Sequence, residues 1–166
     1  MKDIILLMHP MFGVLGAISA VWVFIETLNA REENQKRIRC ASVLVALFMV
    51  IVWIVGGYWY VVYYGADRVM ILKGPWAFAH NIFMETKEHL FFVTLVLALY
   101  LPLVTFKNNL VTNRSARMVV LTVSALIVLS AMVIEGAGGV ISMGVKLGLV
   151  HSLSATSAVP VVPLIK

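Results

Sequence analysis

Cysteine is nearly absent: Cys40 is the only one in 166 residues. No intrachain disulfide can close, and neither a CxxCH haem-attachment motif nor a Cys-based zinc site exists. Charge is also scarce. Charged residues make up 13% of the chain and hydrophobic residues 61%, against about 25% and about 45–50% in soluble domains. One soluble core cannot hide that much apolar surface. The net charge of +5 comes from basic residues in short segments between apolar blocks. Such placement points to topology and lipid headgroups rather than to nucleic acid. There is no internal repeat, no soluble domain and no pair of Glu-x-x-His motifs of the kind that builds four-helix di-iron sites.

What is present is four apolar blocks, each long enough for the roughly 20 residues a membrane crossing takes. The expected spans are 10–28, 38–64, 78–106 and 116–145, followed by a tail at 151–166 broken by Pro160 and Pro163. The first block could be taken for a signal peptide, because Lys2 precedes it and Ala17-Ile18-Ser19-Ala20 resembles a cleavage site. It continues through Ile25, beyond the roughly 7–15 residues of an h-region, so it reads as an uncleaved helix. Pro10 suits a first helical position, which leaves His9 at the cap. The second block ends in an interfacial aromatic belt of Tyr58, Trp59, Tyr60, Tyr63 and Tyr64. Trp76 to His89 is amphipathic and reads as an extension of the third span that protrudes or lies in the interface. The fold class is therefore all-α: a membrane four-helix bundle with an amphipathic outer extension of its third helix.

Basic residues orient it. Arg31, Lys36, Arg37, Arg39, Lys107, Arg114 and Arg117 crowd two short loops, whereas the other six spread over the termini and a longer loop. That density places both termini outside; the expected location is a bacterial inner membrane. Counting seventeen residues from Phe106 back to His89, from Met118 on to Glu135 and from Arg39 on to Gly56 reaches about 25 Å from the inner edge each time. His9, Gly56–Gly57, His89 and Glu135 should thus share one layer near the outer boundary. His9, Gly13, Gly16 and Ala20 form a small-residue stripe of the kind that faces neighbouring helices.

All four histidines, His9, His80, His89 and His151, fall on the outer side. Ionisable groups within spans are costly and mark function, and histidines of facing helices hold haem iron in bundles. The sharp expectation is a non-covalent haem b held by His9 and His89, with His80 and His151 as a second pair or unligated. Gly56, Gly57, Gly136, Gly138 and Gly139 would give the porphyrin room, and Arg68, Lys73 and Trp76 would meet its propionates. Glu135 would accept a proton from a quinol. Glu85, four residues before His89, offers an alternative metal ligand or a support for it, so zinc or copper stays open. So does the reading in which the histidines only pack.

With four spans and inward-pointing histidines the chain resembles the small membrane cytochromes b, such as the cytochrome b561 and CopD-like groups. That resemblance implies haem b, quinone as substrate, and an external cytochrome or larger membrane complex as partner. Typical b561 proteins carry haem near both faces. Here the inner half has no histidine, so exchange on one side is implied. A metal-handling transporter and a cofactor-free accessory subunit are the competing classes. A hydrolase is not, because Ser152 and Ser154 beside His151 have no acidic orienter.

Overall fold

The computed structural model describes residues 2–157. They form α1 (Lys2–Leu28), α2 (Gln35–Val62), α3 (Tyr64–Lys73), α4 (Glu85–Lys107) and α5 (Arg114–Ser157), and a π-helical turn, Ala79–Met84, runs directly into α4. Among the described residues there is no strand. Four helices are long and apolar enough to cross a membrane: Ile4–Leu28, Gln35–Val62, Ala79–Lys107 and Arg114–Ala155. The chain is an all-α integral membrane bundle.

The four long helices pack in a ring. α1 lies against α2 and α5, and α4 closes the ring by contacting both α2 and α5; among the described residues the backbones of the diagonal pairs do not come close. Each helix thus neighbours the next in sequence, the up-and-down order that short connections impose. Inside the ring a core of small and branched residues is buried, including Ala20, Val45, Ala98 and Ile127. Large apolar side chains such as Val96, Leu103 and Leu129 face outward, as lipid requires. Two of the hydroxyls inside return to their own helix, Ser19 Oγ donating to the Leu15 carbonyl at 2.8 Å and Thr94 Oγ1 to that of Leu90 at 2.8 Å, and Ser42 Oγ and Thr105 Oγ1 meet between α2 and α4 at 2.9 Å.

At the end carrying the α1–α2 and α4–α5 connections, polar groups lace the helices together. Asn34 Nδ2 donates to Glu26 Oε2 at 2.8 Å, and Arg37 Nε pairs with Glu26 Oε1 at 3.0 Å. Arg39 Nε donates to the Thr105 carbonyl at 3.1 Å, and Asn109 Nδ2 to Glu32 Oε1 at 2.9 Å. Glu26 is therefore an anchor of the loop end.

The opposite end is built differently. α5 has 44 residues, about 66 Å at 1.5 Å per residue, twice the roughly 30 Å hydrocarbon thickness. Its second half packs against α3 and the π-helical turn. Tyr64, Ile71, Ala79, Met84 and Ile141 make a second core there. Glycine sets this contact. A Cβ on Gly148 would strike the Met70 carbonyl, one on Gly74 would come within 2.6 Å of Gly148 Cα, and one on Gly144 within 2.8 Å of Ala79 Cβ.

Several boundaries differ from the sequence expectation. α1 begins at Lys2, so Pro10 lies inside it and His9 is not a cap. The proline costs one backbone hydrogen bond, and the helix continues through it. The second span stops at Val62, and Tyr64–Lys73 forms a separate helix where a loop was expected. The fourth helix passes 145 and runs to Ser157, so His151 is helical; the remaining tail, with Pro160 and Pro163, lies outside the described residues. The amphipathic stretch before His89 does not project alone, because α5 is long enough to support it.

Candidate functional site

Two small spaces lie toward the α3 end, and one side chain connects them electrostatically. The first is a space of about 20 Å³ among the four long helices. All four long helices line it, through His9 and Gly13, Met49 and Val52, Phe91 and Thr94, and Ile134 and Glu135. Its size suits one water molecule, which needs roughly 10–15 Å³ of probe-occupied space and several polar partners. The His9 ring also interacts with the backbone of Val52, yet its Nδ1 is buried without a hydrogen-bond partner.

His9 reaches this position because α2 gives way. A Cβ on Gly56 would lie 2.5 Å from His9 Cε1 and 2.6 Å from Nδ1. One turn along the same face of α1, a Cβ on Gly13 would lie 2.9 Å from Glu135 Oε1. The small-residue stripe of α1 thus turns toward other helices, as its spacing predicts: Gly16 meets Met49 and Ala20 is fully buried. His9, Gly56 and Glu135 come together at one level. Glu135 keeps an exposed edge at the α1–α5 seam.

The second space is a cleft of about 160 Å³ between the π-helical turn, α4 and α5. Its walls are apolar apart from Thr86 and Lys87. Lys87 lies within electrostatic reach of both His9 and Glu135, and its Nζ would sit 3.4 Å from a Cβ on Gly138. Ile134 borders both spaces. A histidine, a lysine and a glutamate from three helices therefore converge among mainly apolar side chains. Lys87 is the member that sequence reasoning missed. The α4 phase could have revealed it: Lys87, Phe91, Thr94, Ala98 and Leu101 follow i, i+4, i+7, i+11, i+14, and the last three are buried.

The other histidines go elsewhere. His89 is exposed on the outside of α4, and its Nδ1–H donates to the Glu85 carbonyl at 2.7 Å. It does not meet His9. His80 is buried at the α3 end, with Nδ1 2.9 Å from Tyr64 Oη. Burial pushes the Tyr64 hydroxyl up to about 12. His151 is exposed on α5. Arg68 and Lys73 are exposed on α3, and Trp76 packs on the second core with its ring 5.2 Å from that of Phe78. Gly57, Gly136 and Gly139 have nothing within 4 Å of a would-be Cβ.

A haem gripped jointly by His9 and His89 does not fit this packing. The room beside Gly56 is filled by the His9 ring, the shared cavity is water-sized, and His89 faces away. Among the described residues no three His, Cys, Asp or Glu side chains are grouped to hold a metal ion. No protein family, curated protein or solved structure matches the chain.

Proposed function

We propose that the chain is a redox subunit of a bacterial inner membrane, oriented with both termini outside, that takes the protons of a quinol near the outer face. The carrying observation is the convergence of His9, Lys87 and Glu135 beside a water-sized cavity and a lipid-side cleft. Oxidation of a quinol releases two protons and two electrons. A carboxylate and an imidazole placed among apolar side chains are suitable proton acceptors, and a neighbouring ammonium steadies the quinolate formed when the first proton leaves. The electrons pass to a one-electron carrier of an external cytochrome or larger membrane complex. Dense basic loops at the other end of the bundle support the orientation.

The test uses proteoliposomes supplied with a short-chain quinol and external ferricyanide. The protein should accelerate quinol oxidation with release of protons to the medium, and Glu135→Gln should slow it by about 100-fold. Equal rates for the two proteins would refute the assignment of Glu135.

A second reading rests on His89. Its Nδ1–H is engaged by the Glu85 carbonyl, leaving Nε2 as the free, unprotonated nitrogen. Ligating histidines commonly have this arrangement. It supports a haem b or another metal held at the lipid-facing side of α4 with a ligand from a partner chain. A reduced-minus-oxidised spectrum of the intact complex, with and without His89→Ala, decides it.

A further inference from the structure

The cleft beside Lys87 has a shape and chemistry that the proton-accepting cluster does not itself require. Its lining is almost wholly apolar, with Phe83, Leu90, Val133 and Ala137 among its walls, and Thr86 and Lys87 are the two lining residues that carry polar side-chain groups. Both polar residues belong to the first turn of α4, directly after the π-helical turn. π-Bulges recur at functional sites, where they re-aim the residues around them. Here five-residue spacing keeps both Ala79 and Met84 buried, so the segment holds one wall of the cleft against α5 while α4 starts in a new phase.

We propose that this cleft is the seat of the quinone headgroup, with the Lys87 ammonium donating a hydrogen bond to one ring oxygen. The inference rests on the quinol reading above and locates its substrate. A ring bearing oxygen acceptors suits apolar walls in which Thr86 and Lys87 are the residues able to donate a hydrogen bond. An isoprenoid tail can leave toward lipid, because Ile82 on the rim is 58% exposed. Lys87 then links substrate and acceptor: it stands in the cleft wall and lies within electrostatic reach of Glu135 and His9. An anionic lipid or fatty acid also offers oxygen to a lysine, but such a ligand does not change with redox state.

The experiment is photolabelling of the full chain, in nanodiscs of neutral lipid, with an azido-substituted short-chain quinone. Saturable labelling should map to residues 82–90 and 133–137. It should fall at least tenfold in Lys87→Met and in Ala137→Trp, which fills the cleft, and recover in Lys87→Arg. If Ala137→Trp fails to fold, the Lys87 pair alone carries the test. Saturable labelling elsewhere, or labelling indifferent to Lys87→Met, overturns the cleft while leaving a quinol site in the protein. Displacement by a fatty acid but not by unlabelled quinone also overturns it. Absence of any saturable labelling removes the quinol reading together with the cleft.

Discussion

The imidazole of His9 occupies the place a side chain at position 56 would take, 2.5 Å from where its Cβ would stand. Gly56→Ala must therefore push the ring out of the bundle or push α1 away from α2. The expected cost is about 1–3 kcal/mol, the range for overpacking. Gly57→Ala, with open space around it, should cost nothing comparable. Thermal unfolding in detergent compares the two. In a double-mutant cycle, Gly56→Ala should lose most of its cost when His9 is already alanine.

The contact between α3 and α5 depends on Gly148, whose Cβ would collide with the Met70 backbone carbonyl. A backbone atom cannot swing aside as a side-chain tip can. Gly148→Ala should detach the α3 end and speed hydrogen exchange in Tyr64–Lys73, whereas Gly136→Ala should leave it unchanged. Equal protection in both variants would mean that this close approach does not hold α3.

Tyr64 and His80 make a buried hydrogen bond at 2.9 Å. Tyr64→Phe leaves His80 Nδ1 unpaired and should cost about 1–3 kcal/mol. The pair also gives a pH dependence. With the Tyr64 hydroxyl raised from 10.0 to about 12, the folded protein holds a proton that the unfolded chain has lost. Stability is then full below about pH 10 and declines as pH rises toward 12. Unfolding midpoints across that window should fall in the native protein, and the fall should be smaller in Tyr64→Phe.

Four spans and a common depth for His9, Gly56 and Glu135 were legible in the sequence. Apolar length and helical rise are enough for those. The stripe His9, Gly13, Gly16, Ala20 gave the inward face of α1, because small residues mark helix contacts in lipid. α4 offers a different signal. There the buried phase runs through Lys87 and Thr94, and His89, two residues from Lys87, faces outward. Residue type drew attention to the histidine when phase pointed to the lysine. The π-helical turn and α3 were not legible, since both depend on the distant surface of α5. Nor was the helical state of His151 legible, because the length of α5 is sustained by packing at its second half.

Orientation has its own check. On a Cys40→Ser background, a cysteine at Glu32 should react with a membrane-impermeant maleimide only after the inner side is opened. One at Lys73 should react in intact cells. The reversed pattern would place the cluster at the cytoplasmic face.

The most direct test of the whole account is an infrared difference spectrum between quinol-loaded and quinone-loaded protein in lipid. If Glu135 takes the substrate proton, a carboxylic acid C=O band changes on oxidation, and that band is missing in Glu135→Gln. Identical spectra from the two proteins would contradict the proton-accepting role assigned to the His9, Lys87 and Glu135 cluster.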